Sequence, residues 1–526
     1  MLIMNRNRNC ILLYSALLII VLSYGCYKVG PNYSPPETKM PDEWYEAITY
    51  GLNEGKANLQ TWWIVFNDPV LNDLIKRARV GNYDVKQAVA RVSQARAQLN
   101  FAKGEYVPFI EGSGSLERSR TSEGIVEDPS FIPPPETRTD TIIDLGGGAS
   151  WELDLWGRIA RSVESAEASY EASIEDYRDV LVVLFSDVAS NYVSVRTLQD
   201  RIKLAQSNVE LQKKTLQLTR DRFKAGISPL LDVRQAELNL STTESTIPTL
   251  QFQLDQAINR IGVLLGEYPS ALQAELTKLA QIPAPPDDIA IGLPAELLRQ
   301  RPDVRQAERE IAAQTAQIGV ATAELYPQFS IFGTLGLEAV DSVTFFKGSN
   351  VIFEFGPQFS WRIFEGGRLR SNIKIQEAVT EELLYNYENT VLTALEEVEN
   401  SMVAYVQETD RKESLERSVT AAGSAVDLVE TLYTTGLTDF QNVLDTQRSL
   451  FQQQDQLADS KGNIVQNLIS LYKALGGGWS PEPENEIFTY KKLEATQSDY
   501  IREEDKKLTS EKSNGIDVRK TQNELK

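Results

Sequence analysis

Two stretches of 68 residues, 158–225 and 368–435, contain no proline, and Gly423 is the only glycine in either. At 1.5 Å per residue a helix of that length spans about 100 Å, far beyond the roughly 8–20 residues usual in a globular domain. In the first stretch Tyr170, Ile174, Tyr177, Leu181, Leu184, Val188, Tyr192 and Val195 step mainly by four and three. That spacing belongs to a coiled-coil seam. Gly226 and Gly436 close the two stretches, and a second helical pattern returns after each. The spacing predicts two long helical hairpins with a glycine turn at each tip, and Pro248 and Gly462 as kinks in the returning helices.

The two hairpins are copies. A shift of 210 carries Trp151 onto Trp361, Gly157 onto Gly367, Gly226 onto Gly436, Val233 onto Val443 and Gly266 onto Gly476. Upstream the shift is 219, which carries Asp84 onto Asp303 and Pro108 onto Pro327. The difference lies before Trp151, in DPSFIPPPETRTD, which reads as a longer loop. Each copy opens with a helical stretch, 67–106 or 293–326, followed by two period-two stretches and then the hairpin. Such internal repetition decides a fold more firmly than any single motif.

The period-two stretches are strands. In NVIFEFGPQFSWRIF from Asn350, Val351, Phe353, Phe355, Pro357, Phe359, Trp361 and Ile363 share one face, and Glu354, Gln358, Ser360 and Arg362 the other. PQFSIFGTLGLEAV from Pro327 and IIDLGGGASWELDL from Ile142 alternate similarly, and a weaker pattern covers 109–118. Length and aromatic content suit bilayer-spanning strands. Four strands cannot close a barrel in lipid, where an open edge leaves backbone groups unpaired at several kcal/mol each, so several chains must share one. Three chains give twelve strands and room for a bore, lined by Glu354, Gln358, Arg362, Glu152 and Asp154.

Composition narrows the function. With 53 Lys+Arg against 74 Asp+Glu, the chain lacks the electrostatic footprint of a nucleic-acid partner. The absence of histidine removes Ser-His-Asp and Cys-His catalysis and the commonest metal ligand. No paired acid/base constellation stands out, and GGG at Gly146 sits in a strand pattern without a following Lys-Ser/Thr. An enzyme, a cofactor and a metal site are therefore not expected. Arg6 and Arg8 followed by the apolar run 11–22 read as a signal peptide. Cys10 lies inside it, so the mature chain keeps Cys26 alone. LSYGC from Leu22 resembles a lipoprotein signal, with Ser23 at the place where leucine is usual, and makes Cys26 the expected acylation site.

GCYKVGPNYSPPETKMPDEW from Gly25, WWIVFNDPVLNDLI from Trp62, LPAELLRQRPDVRQAEREIAAQTAQIGVATAELYPQFS from Leu293 and FSWRIFEGGR from Phe359 together resemble the TolC family of outer-membrane efflux channels, in its lipoprotein, NodT-type branch. The resemblance implies an α+β membrane protein: a homotrimer with a twelve-stranded outer-membrane β-barrel continuous with a long α-helical periplasmic tunnel. It implies a passive conduit docked to a periplasmic adaptor and an inner-membrane pump, often of the resistance-nodulation-division type. It also implies a periplasmic gate at Asp445 in DFQNVLDTQRSL. Asn442 stands where some members carry a second aspartate, and Arg448 is the candidate counter-ion. The tips at Gly226, Ile227, Gly436 and Leu437 are expected to meet the adaptor.

The expected division is a signal peptide over 1–25, a lipidated segment over 26–66, repeats over 67–269 and 293–479 joined by a linker over 270–292, and a charged tail over 480–526. Two rivals remain open at this point. One is the outer-membrane duct of a type I protein secretion system. The other is a coiled-coil structural lipoprotein without a bore.

Overall fold

The computed structural model describes residues 28–45, 50–53, 55, 59–120, 139–286, 288–292, 294 and 300–480. Cys26, the Pro-rich stretch up to residue 138 and the tail from residue 481 lie outside the described residues. The chain divides into two compact units, each assembled from both copies.

The first unit takes the described parts of Met1–Glu37, Ser93–Ala172 and Ala307–Tyr387. It holds β2 (Phe109–Arg120), β3 (Thr139–Leu153), β5 (Gln328–Ala339) and β6 (Val351–Ser360). They form one antiparallel sheet in the order β2-β3-β5-β6. Register places Phe355, Gly333, Ala149 and Ile110 in one cross-strand row and Glu354, Thr334, Gly148 and Glu111 in the next. Opposed residues share a face and rows alternate, so Phe353 and Phe355 stand on one side and Glu354, Gln358 and Glu152 on the other. Phe355 is 79 % exposed and Ile110 77 %. Both faces of the sheet are uncovered, and β2 and β6 each pair on one side only among the described residues.

Three strand-end expectations need correction. The last strand stops at Ser360 instead of running to Phe364, because its partner β5 begins at Gln328, opposite Ser360. Arg362 therefore sits beyond the ladder, where its Nη2 lies 3.7 Å from Glu324 and its Nη1 3.9 Å from Glu365. Asp154 also lies outside its strand, and its carboxylate accepts from the N–H groups of Ile159 and Ala160 at 3.1 and 2.8 Å. It satisfies orphan donors at a helix start instead of facing a bore. The two copies nonetheless share a device: Trp151 Nε1 donates to Tyr106 O and Trp361 Nε1 to Leu325 O, both at 3.0 Å.

The second unit takes Thr38–Val92, Ser173–Gln306 and the described part of Glu388–Lys526. A two-residue parallel pair, β1 (Leu52–Asn53) with β4 (Ile289–Ala290), ties the segment after the amino terminus to the region between the copies. The long helices among the described residues are α1 (Pro69–Gly81), α2 (Tyr83–Gly104), α3 (Arg158–Lys224), α4 (Leu230–Leu264), α5 (Pro302–Ala323), α6 (Arg368–Thr434) and α7 (Phe440–Ala474), with a single turn at Gln273–Leu276. Both bounds of α6 and of α7 lie 210 residues beyond those of α3 and α4. The seam residues Ile174, Tyr177, Leu181, Leu184, Val188, Tyr192 and Val195 are all buried. Across the core Arg201 of α3 reaches Asp455 and Asp459 of α7 at 2.8 and 3.2 Å.

The helical stretch expected over 67–106 consists of α1 and α2, which meet at Asn82. Its side chain accepts from the N–H groups of Asp84 and Val85 at 2.7 and 3.0 Å and donates to Leu264 O at 2.9 Å. That starts a new helix by capping while fastening the break to α4. Gly81 permits the approach, since a Cβ there would overlap the carbonyl oxygen of Leu265. Gly81→Ala should cost about 1–3 kcal/mol as the two backbones are pushed apart. Gly104→Ala, with nothing near the new methyl, should be neutral or stabilising; equal thermal midpoints for the two variants would refute the close-approach explanation. In the second opening stretch a helix runs from Pro302 to Ala323, and residues 293 and 295–299 of the expected stretch lie outside the described residues. Pro248 and Gly462 both lie within continuous helices. Gly462 serves close packing, since a Cβ there would overlap the Thr197 side chain.

A charged cluster closes this unit. Arg301 Nη1 meets Glu397 at 2.7 Å and Ala474 O at 2.8 Å, and its Nη2 meets Asp303 at 2.7 Å. Nearby, burial pushes the Asp179 carboxyl up to about 6; the charges of Asp303 and Asp176 add to the rise, while Arg301 and Lys473 oppose it. The folded chain thus holds this proton more tightly than the unfolded chain, whose carboxyl titrates near 3.8. The stabilisation is complete below the unfolded value and is lost as pH rises through about 6. Asp179→Asn should accordingly raise the thermal midpoint at a pH about two units above the folded value and leave it unchanged near pH ~3. A pH-independent difference would show that Asp179 does not titrate in this range.

Candidate functional site

The hairpin tips belong wholly to the second unit. Gly226, two residues past α3, has φ +70° and Gly436, two residues past α6, has φ +77°. Ile227 N–H donates to Arg222 O at 2.9 Å and Leu437 N–H to Leu432 O at 2.8 Å. This is the six-to-one bond of a Schellman turn, which needs a left-handed residue just past the helix. Open space surrounds both glycines, so backbone conformation alone requires them. The residue after each glycine usually packs back onto its helix in this turn. Here Ile227 is 64 % and Leu437 75 % exposed.

Behind the turns Leu216, Val233, Ala236, Tyr433, Phe440, Val443 and Leu444 form one apolar cluster from α3, α4, α6 and α7. Its packing turns the intervening residues of α7 outward: Gln441, Asn442, Asp445 and Arg448 are exposed while Val443, Leu444 and Gln447 are buried. Gln447 Nε2 donates to Thr215 Oγ1 at 2.8 Å and Glu430 Oε1 at 2.9 Å. That locks the rotation of α7, and with it the direction in which Asp445 points.

The three residues expected at the gate fall on one helix face but not in one network. Asp445 accepts from Gln441 Nε2 at 3.0 and 3.1 Å. Asn442 Nδ2 donates to Thr438 Oγ1 at 2.8 Å. Arg448 lies 3.9 Å from Asp445, but its Nε donates to Asn239 Oδ1 of α4 at 2.9 Å. The arginine is thus chiefly a tie between α4 and α7. An exposed pair at that separation contributes at most about 1 kcal/mol.

The sequence reading missed Arg222, Asp232 and Tyr433. Arg222 Nη1 donates to Thr434 O at 3.0 Å and its guanidinium lies 4.7 Å from the centre of the Tyr433 ring. Tyr433 Oη in turn donates to Asp232 at 3.5 Å. Burial raises the Asp232 carboxyl, the Tyr433 hydrogen bond lowers it, and the charge of Asp439 raises it further. These contacts tie the tip of α6 to α3 and α4. A signal lay in the broken repeat: Arg222 corresponds to Leu432 and Tyr433 to Phe223, so the tie has no second copy. Likewise Asp232 corresponds to Asn442 and Gln235 to Asp445. Each hairpin carries one of the two carboxylates, at staggered positions.

Residues 74–267 and 293–477 match the profile described as Outer membrane efflux protein. Nodulation protein T of Rhizobium leguminosarum bv. trifolii is 32 % identical over 472 residues, covering 89 % of this chain and 98 % of its own. The pyoverdine export outer membrane protein OpmQ of Pseudomonas putida is 34 % identical over 430 residues, covering 80 % of this chain and 89 % of its own. Among solved structures, the outer-membrane channel OprN superposes with a TM-score of 0.80 at 34 % identity, covering 86 % of this chain and all of that one. The repeated hairpins and the uncovered four-stranded sheet are thus those of a known group, and the chain belongs to the outer membrane efflux protein family, as a passive channel of the outer membrane and not an enzyme.

Proposed function

We propose that three copies of this chain share a twelve-stranded barrel and a helical tunnel, and that the assembly is the exit duct of a tripartite efflux machine. The observation that carries this reading is the four-stranded sheet whose outer strands each pair on one side only among the described residues, with one apolar and one polar face. In lipid its open edges are stable only if other strands pair with them. Phe353 and Phe355 then face acyl chains, and Glu354, Gln358 and Glu152 face a water-filled bore. A non-conducting stalk would leave the polar face without a role. The membership and the relative named for pyoverdine export favour efflux over protein secretion.

In this reading residues 67–269 and 293–479 are two copies of one unit joined by 270–292. Residues 1–25 are removed, and the segment 26–66 carries lipid on Cys26 as a second anchor in the outer membrane. The exposed Ile227 and Leu437 beside Gly226 and Gly436 are the apolar knobs that a periplasmic adaptor covers. An inner-membrane pump, of the resistance-nodulation-division type, supplies cargo and energy. Asp445, with Asn442 one turn before it, lines the narrow periplasmic end, and Arg448 holds α7 against α4.

Native mass spectrometry of the detergent-extracted protein should give a trimer, and the same sample should carry steady current across a planar bilayer. A conducting monomer or dimer would refute the shared barrel. A trimer that carries no current even after the tip tie is cut by Tyr433→Phe and Arg222→Ala would favour the stalk.

A further inference from the structure

In the first unit a buried arginine grips the peptide that follows Cys26. Arg161, on the first turn of α3, is 1 % exposed. Its Nε donates to Val29 O at 3.1 Å, and its Nη2 to Gly30 O at 3.3 Å and Asn32 Oδ1 at 2.8 Å. Its Nη1 pairs with Glu164 at 3.0 Å, and Glu164 also accepts from Lys28 Nζ at 3.4 Å. Val29 is buried and its N–H donates to Trp156 O at 3.1 Å. Trp156 Nε1 donates to Pro327 O at 2.8 Å, so this seat lies where β3 leaves the sheet and β5 enters it.

Three glycines make room for the grip. A Cβ on Gly157 would lie 2.8 Å from Lys28 Cα, one on Gly30 2.5 Å from Gly319 Cα, and one on Gly319 2.7 Å from Arg161 Cγ. Gly157 and Gly30 also have φ of +77° and +84°. The seat thus recognises backbone in one alignment, and a shift of the peptide by one residue would bring a Cβ into one of these contacts. Desolvating a guanidinium is costly unless its donors are filled. Here the filling comes from carbonyls about 130 positions away in sequence. A helix-surface residue would not need this, so the arrangement has a task other than helix stability.

We propose that Arg161 is a positioning residue for the lipid anchor: by seating residues 28–32 at the base of the sheet, it holds acylated Cys26 within two residues of the point where the strands enter the membrane. Two extended residues span at most about 7 Å. Lipid and strands then enter the same leaflet together, and the anchor aligns the sheet with the membrane surface before strands of neighbouring protomers pair. This inference rests on the acylation of Cys26 proposed above.

The test uses the full-length protein in its membrane. A protease that cuts after lysine releases the acylated fragment 26–28 only when Lys28 is unseated. The wild-type chain should resist; Arg161→Ala should release the fragment at least tenfold faster and form inserted trimer at least tenfold more slowly, with Arg161→Lys between. A second variant places about six Gly/Ser residues, roughly 20 Å of chain, between Tyr27 and Lys28. It leaves the seat intact, so Lys28 should stay protected while trimer insertion slows as in Arg161→Ala. Insertion of the spacer variant at the wild-type rate would overturn the proposal even if Arg161→Ala does not fold, as would protection of Lys28 in a folded Arg161→Ala. Intact mass of the wild-type amino terminus separates the two layers: an unmodified Cys26 overturns the acylation reading itself, whereas an acylated Cys26 with normal spacer insertion overturns only the role of Arg161.

Discussion

Phe355→Arg should abolish insertion of the assembled channel. Phe355 is the fifth residue of the ten in β6, and its cross-strand neighbour on β5 is Gly333. Nothing on that face offers the guanidinium a carboxylate, because Glu354 points the other way. An arginine facing lipid at the midplane costs about 2–4 kcal/mol, and a trimer carries it three times. The protein should accumulate as protomers held to the membrane by lipid alone, with no trimer in the detergent extract. Glu354→Arg, one position away, should insert normally and shift conduction towards anions. If Phe355→Arg inserts and Glu354→Arg does not, the two faces of the sheet have been assigned in reverse.

Asp445→Ala should weaken the preference of the channel for cations by about fivefold or more. Three copies of this carboxylate, each held outward by Gln441, would stand around a narrow opening. Two unit charges 4 Å apart interact by about 1 kcal/mol even in bulk water and more strongly where water is partly excluded. The ring attracts cations and delays anions. Arg448→Ala acts differently. It removes the bond to Asn239 and frees α7 from α4, so conductance should rise with little change in selectivity. Single-channel current under asymmetric salt separates these outcomes. Unchanged selectivity in Asp445→Ala would place the constriction elsewhere on the tunnel. A selectivity change in Arg448→Ala as large as that of Asp445→Ala would restore the arginine to the role of direct counter-ion.

The helices, the strand faces and the glycine turns could be read from the sequence because each depends on neighbours within a few residues. An unbroken run without glycine or proline leaves no cheap exit from the helix. A four-and-three seam selects the face that is buried. Alternation in β6 separates phenylalanine from glutamate whatever the strand pairs with. The repeat extended this local information to the weakly patterned β2, which shares the place of β5 in the other copy.

Other features depended on the approach of distant backbones. The ends of β3 and β6 are set by where a partner strand begins, so Asp154 and Arg362, polar residues in apparent strand rhythm, left the sheet for a helix start and for flanking carboxylates. The break at Asn82 required Leu264 to lie within hydrogen-bond reach, and Gly81 to let it come so close. Arg448 was near Asp445 in sequence, but Asn239 offered its Nε a shorter hydrogen bond. Arg222, Tyr433 and Asp232 meet at the tips from three helices, and Arg161 meets Val29 and Gly30 from about 130 positions away. Periodicity specifies which side of an element is apolar, but hydrogen-bond partners are chosen by which groups the packed backbones bring within about 3 Å, and that choice existed only after the chain had folded.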